Sequence, residues 1–123
     1  MIPSIDERRS ARLNLASRTF RARLDRTKFF HSSLFSDAAW DILLGLYVFR
    51  AAGKNLGASD LCRITCETSL TTSLRLQRRL VDLGLIRRTE DPCDGRRLIV
   101  ELTDEGITKL EDYLDHEMLA TTV

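Results

Sequence analysis

One stretch of an otherwise helix-patterned chain narrows the folds open to it. In "RRTEDPCDGRRLIVELT", Arg87 to Thr103, two strand-like runs flank a tip of Asp91, Pro92, Cys93, Asp94, Gly95, Arg96 and Arg97. Pro, Asp and Gly favour a tight turn, and Gly95 is expected to supply the positive φ that such turns often require. Directly before this hairpin, "LTTSLRLQRRLVDLG" reads as a helix from about Leu70 to Leu83, with Ser69 as N-cap and Gly84 at C′. Leu76, Leu80 and Leu83 then face a core, with Ser73 one turn earlier on the same side. Before that, "GASDLCRIT" gives a brief helix from about Ala58 to Thr65, started by Gly57 or Ser59. Two helices joined by a tight turn and followed at once by a β-hairpin form the winged helix-turn-helix arrangement.

The flanks are helical. From about Ser4 to Lys28 a basic helix carries a narrow apolar stripe, Leu13, Ala16, Phe20 and Leu24, suited to packing on another helix. Ser36 is expected to cap "DAAWDILLGLYVFRAA", which ends at Gly53. Apolar residues nearly encircle this segment, with Trp40, Leu43, Leu44 and Tyr47 on one side and Ile42, Leu46 and Phe49 on the other. It should be the central beam of the fold. Thr103 caps a last helix whose stripe is Ile107, Leu110, Leu114 and Met118, with acids in the first turn where the helix dipole favours them. The expected class is mostly α with a small β-hairpin wing, divided into a basic N-terminal helix (1–34), a winged helix-turn-helix core (35–103) and an acidic C-terminal helix (104–123). The two terminal helices are the expected dimer interface.

At 123 residues the chain is one domain's worth, 43% hydrophobic and 30% charged, an ordinary globular balance. No apolar run approaches the ~20 residues that span a bilayer, and "MIPSIDERRS" lacks the apolar core of a secretory signal. The expected location is cytoplasmic, with no membrane partner. Three cysteines in such a chain argue against a disulfide framework. Cys62 and Cys66 are spaced for one helical face, but no second Cys or His pair stands near them, so free thiols are expected and no metal or cofactor. Cys93, at the tip, should be neither buried nor activated.

Net charge is only +1, yet it is unevenly spread. Residues 1 to 30 hold eight Arg or Lys against three acids, whereas one Lys faces seven acids from Glu101 onward. The two ends should attract each other, within one chain or between two. Between Ser69 and Val81 no acid appears at all. Ser69, Thr71, Thr72 and Ser73 open that helix, and Arg75, Arg78 and Arg79 follow. Small hydroxyls near a helix N-terminus can bond base edges or phosphates, and arginines further along suit the major groove of duplex DNA. A hairpin beside this helix would hold Arg96 and Arg97 over a neighbouring minor groove, with Asp94 as a brace for an arginine.

These residues resemble the MarR-type winged-helix regulators. The family's wing carries Asp-x-Arg, then a strand ending in Leu-Thr and an acidic-Gly helix start. Here Asp94-Gly95-Arg96 is followed by "RLIVELTDEG", and "ASDLC", Arg75 and "RLVDLGLIRR" match further. The similarity covers roughly Phe35 to Tyr113. It implies a homodimeric transcriptional regulator, usually a repressor, that reads a pseudo-palindrome in double-stranded DNA, with Arg96 in the minor groove and Asp94 shaping the wing. It also implies a small aromatic effector in a cleft that Trp40, Tyr47 and Phe29 could line, although the same aromatics read equally as core packing. Family members usually end in two long helices and this sequence shows one, so dimerisation is expected to lean on the basic first helix and the acidic last one. Two other readings stand beside this one. An enzyme is disfavoured: His31 and His116 are far apart, and no phosphate loop, metal-spaced cluster or nucleophile motif is present. A winged-helix module for protein contact, with little or no DNA binding, is the nearer alternative.

Overall fold

A computed structural model describes residues 4–30, 37–65 and 69–121. The element order is α1 (Ile5–Phe29), α2 (Asp37–Ala51), β1 (Leu56–Gly57), α3 (Ala58–Ile64), α4 (Leu70–Asp82), β2 (Ile86–Asp91), β3 (Asp94–Leu102) and α5 (Asp104–Thr121). Mostly helix with a small β wing is therefore the observed class.

Local chemistry explains most of the boundaries. Ser4 and Glu7 form a reciprocal capping box at the start of α1, with Glu7 N–H donating to Ser4 Oγ at 3.1 Å and Ser4 N–H to the Glu7 carboxylate at 3.3 Å. Gly53 and Gly84 adopt φ of 72° and 76°, where the chain leaves α2 and α4. Gly95 has no such conformation, contrary to expectation. The hairpin closes instead over Pro92 and Cys93, with Asp91 paired to Asp94 and a register irregularity between Glu90 and Asp91. The expected cap at Ser36 lies outside the described residues, as do His31 and Cys66.

The sheet has three antiparallel strands in the order β1-β3-β2. Its third member, β1, pairs Leu56 with Val100 and Gly57 with Ile99. Two residues are too few to carry a readable alternation, so the hairpin alone was expected.

Helix α2 lies at the centre, with Ile42, Leu43 and Leu46 buried and Leu44, Tyr47 and Phe49 packed at the edge of the core. Leu61 of α3, Leu80 of α4, Leu85, Ile86, Val100 and Leu102 around the wing base, and Leu110 and Tyr113 of α5 belong to the same cluster. Two residues expected inward are not. Leu83, where α4 ends, is 37% exposed and Met118 of α5 is 59% exposed.

The wing base is stapled to α5. Thr103 N–H donates to the Leu85 carbonyl, the Thr103 hydroxyl donates to the Gly84 carbonyl, and Gly106 N–H donates back to Thr103 Oγ1. Gly106 has to be glycine here, since a Cβ would collide with the Leu85 carbonyl oxygen.

The C-terminal third of α1 closes the core against α5. Phe30 is buried, Trp40 meets Phe30 and Tyr113 edge to face, and the Arg26 guanidinium lies 5.2 Å from the centre of a Trp40 ring. The Tyr113 hydroxyl donates to the Ala22 carbonyl at 3.3 Å. Further out on α1, Leu13, Phe20 and Leu24 remain 66%, 64% and 53% exposed, so the predicted stripe has no cover within one chain. No described helix is long and apolar enough to cross a membrane.

Candidate nucleic-acid interface

Helix α4 starts where its capping chemistry dictates. Ser69 Oγ accepts Thr72 N–H at 3.2 Å, and the Ser69 and Thr72 hydroxyls bond each other at 2.9 Å. Ser69, Thr71, Thr72, Arg75, Arg78 and Arg79 are all exposed. Among the described residues, Arg75, Arg78 and Arg79 make no ion pair. The outward face of α4 is thus hydroxyl-rich at its N-terminus and carries its arginines without an acid until Asp82 at its C-terminal end.

Ser73 does not belong to that face. It is fully buried, and its hydroxyl oxygen accepts Gln77 Nε2–H at 3.2 Å, while Gln77 Nε2 also donates to the Ala58 carbonyl at 3.0 Å. Ser73 and Gln77 form a polar pin between α4 and α3, which fixes the angle of the helix-turn-helix. The helical spacing puts Ser73 on the core side, one turn before Leu76, and its assignment to a DNA-facing set is corrected. Gln77 carried no signal in the sequence beyond its place one turn before the buried Leu80.

The wing separates its two arginines by function. Arg97 is tied into the protein: Nη1 donates to Asp91 Oδ2 at 3.1 Å, and Nη2 donates to Asp60 Oδ2 at 3.1 Å and to the Asn55 carbonyl at 3.3 Å. It straps the wing to the start of α3. This corrects its expected place among the DNA-contacting residues, because the guanidinium edge is already engaged. The electrostatics agree. Asp60 is held below the usual carboxylate range, first by the Gly57 N–H and then by Arg97. Asp91 is held low by the Cys93 N–H and then by Arg97, and the two acids raise the Arg97 guanidinium in turn.

Arg96 is exposed, and its side chain makes no ion pair among the described residues. Asp94 Oδ1 accepts the Arg96 backbone N–H at 3.1 Å. Asp94 therefore braces the turn that carries Arg96, and not a guanidinium. Cys93 is exposed at the tip, and Cys62 on α3 is part-buried.

The two candidate elements share one groove. Leu74 of α4 faces it together with Ser59 and Asp60 of α3 and Asp94, Arg96 and Leu98 of the wing. Leu74 and Leu98 are 36% and 39% exposed there, apolar contacts the pattern of hydroxyls and arginines did not flag.

The aromatics proposed as a ligand cleft serve packing. Phe29 and Trp40 each meet Tyr113 edge to face. Tyr47 donates its hydroxyl to Glu111 Oε2 at 3.1 Å, which raises the phenol's pKa, and it borders an open depression lined further by Leu114 and Met118.

A family model described as a winged helix DNA-binding domain matches residues 42–106. No curated protein matches the chain. Among solved structures, a Staphylococcus aureus MepR mutant bound to oligodeoxyribonucleotide is 24% identical, with a TM-score of 0.71 over 90% of this chain and 77% of that one. AbsC, a MarR family transcriptional regulator from Streptomyces coelicolor, is 22% identical with a TM-score of 0.64, covering 97% of this chain and 78% of its own. RV1404 from Mycobacterium tuberculosis is 17% identical with a TM-score of 0.76, covering 99% and 80%. These likenesses are likenesses of fold.

Proposed function

Because this chain belongs to the winged helix DNA-binding domain family, we propose that it is a sequence-specific regulator of transcription of the MarR type. Helix α4 enters the major groove of duplex DNA, and Arg96 reaches the adjoining minor groove. The observation that carries this reading is the shared groove: Leu74 of α4, the helix that bears the exposed hydroxyls and arginines, lines it together with Asp94 and Arg96 of the wing, and Arg96 is held on a braced turn. In the major groove Thr71, Thr72 and Arg75 read base edges, and Ser69, Arg78 and Arg79 hold phosphates. Repression follows from the same resemblance, by occupancy of a promoter in the cytoplasm.

The active species is a homodimer on a pseudo-palindromic site. The exposed stripe of Leu13, Phe20 and Leu24 needs an apolar partner, and a second copy supplies one by symmetry. The C-terminal third of α1 is already packed on α5 within the chain, so the cross-subunit contact falls to the outer part of α1. A small aromatic effector would bind along the α5 depression beside Tyr47 rather than displace the packed Trp40.

Anisotropy titration of a labelled random duplex over a range of salt concentrations tests the DNA reading. Affinity should fall steeply with salt as counterions are released. A flat salt dependence, or no binding at low salt, would leave the protein-contact module as the better reading.

A further inference from the structure

Away from the α4–wing surface, α1 and α5 bring together three potential metal ligands that are far apart in sequence: Asp25, His116 and Glu117. One ligand atom from each lies within 4.8 Å of the others. We propose that this cluster is a site for a first-row divalent cation of the zinc class, fastening α1 to α5.

The donor set is the first support. One imidazole and two carboxylates match the ligand types that such cations take, and three protein ligands leave a fourth position for water. The placement is the second. All three side chains are part-buried where two helices meet, so they are held closer than surface groups would stay. Asp25 Oδ2 already lies 3.3 Å from His116 Nε2, and the His116 ring is seated 5.4 Å from the Phe29 centroid, which limits its rotation.

The third support is an unmet need. Glu117 Oε1 is shielded from solvent and has no hydrogen-bond partner. A shielded carboxylate oxygen without a donor is costly, and a cation would satisfy it. Lys28 offers Asp25 a bond at 3.2 Å, but its side chain is 63% exposed and can swing away. Tetrahedral coordination at ~2.0–2.2 Å per bond places ligand atoms roughly 3.3–3.6 Å apart. From separations of at most 4.8 Å the cluster needs to contract by no more than roughly 1.2–1.5 Å to reach that geometry.

A cation here would set the direction in which the uncovered part of α1 leaves the core. If the chain is a dimeric regulator, that direction sets the distance between two reading heads. This consequence rests on the proposed function, whereas metal binding itself does not.

Cobalt(II) and zinc titrations of the chelator-treated full-length protein, read by absorbance and by thermal unfolding, test the site without any DNA. One equivalent of cobalt per chain should bind with weak visible bands and no intense thiolate charge-transfer band, and saturating zinc should raise the unfolding midpoint by several degrees. His116→Gln and Asp25→Asn should each lower the affinity at least tenfold with the circular dichroism unchanged. Glu117→Gln, close in shape to the native side chain, serves as the second variant should either of these lose its fold. Magnesium, which favours all-oxygen sites, should not substitute. Absence of binding at tens of micromolar metal, binding indifferent to these substitutions, or a thiolate band that places the ion on cysteine would each overturn the proposal.

Discussion

The α4–wing surface and the α1–α5 junction are both rich in charge, but they handle it in opposite ways. On α4 the arginines stand exposed with no acid before Asp82 at the helix's last position, and Arg96 projects from a turn held by Asp94. At the junction, Asp25 bonds Lys28 and His116, Tyr113 caps a carbonyl of α1, and Arg26 lies against Trp40. Charge answered from within the chain, as it is at the junction except at Glu117 Oε1, shapes the fold, while charge left unanswered on a rigid support is available to a partner. The wing repeats the lesson between neighbours. Arg97 is bound by Asp60 and Asp91, and Arg96 is not.

The severest way to break the contrast is to remove what both regions share. Leu110 on α5 is fully buried in the single core. Leu110→Ala should cost about 2–5 kcal/mol and unfold both regions in one transition, seen by urea melts followed at Trp40 and by circular dichroism. Two separated transitions would mean that the regions are independent units.

Next in size are the exposed arginines. Arg75→Ala should reduce discrimination between preferred and random duplex by about 1–3 kcal/mol with no change in unfolding midpoint. Arg97→Ala should instead lower the midpoint and weaken binding to all sequences alike, because the wing loses its strap to α3. Competition anisotropy alongside thermal melts separates the two. Equal behaviour of both variants would erase the distinction drawn between free and bound arginines.

The proton dependence of stability should also differ in sign. Asp60 and Asp91 lie below their ordinary value of 3.8 in the folded protein, so their contribution is complete above that pH and lost as pH falls through the folded values. Glu117 lies above its ordinary 4.5, so its ionisation destabilises the fold as pH rises from 4.5 through the folded value, and the cost persists beyond it. In chelator-treated protein at pH 7, Asp60→Asn should lower the midpoint by a few degrees and Glu117→Gln should raise it. Glu117→Gln should approach the parent chain as pH falls below 4.5, and Asp60→Asn only as pH falls below the lowered folded value of Asp60. The smallest effect belongs to Gly95. A Cβ there meets nothing within 4 Å and the backbone is not left-handed, so Gly95→Ala should change stability by less than about 0.5 kcal/mol.

What was legible in the sequence followed from local chemistry. Ser69 and Gly84 mark the ends of α4, Gly53 marks the end of α2, and Thr103 with its acids marks the start of α5, because capping acts over three or four residues. The helix-turn-helix and its hairpin follow from the same signals. What stayed hidden depended on distant partners. β1 is two residues long and is defined only by its pairing with β3. Arg97 looked like Arg96 until Asp60, 37 positions away, claimed it. Ser73 read as a small polar residue on a polar helix, although its own spacing already turned it inward. His116 appeared isolated because Asp25 meets it only after α1 folds back on α5.

Affinity cleavage from the wing tip is the most direct test of the central claim, that α4 and the wing hold one duplex together. Cys93 is exposed at that tip, and with Cys62 and Cys66 replaced by serine it can carry an iron chelate. Cleavage should centre in a minor groove flanking the major-groove segment that α4 protects, at symmetric positions about the middle of the site. Cleavage inside the protected segment, or a bound complex in which the tethered chelate leaves the duplex uncut, would contradict it.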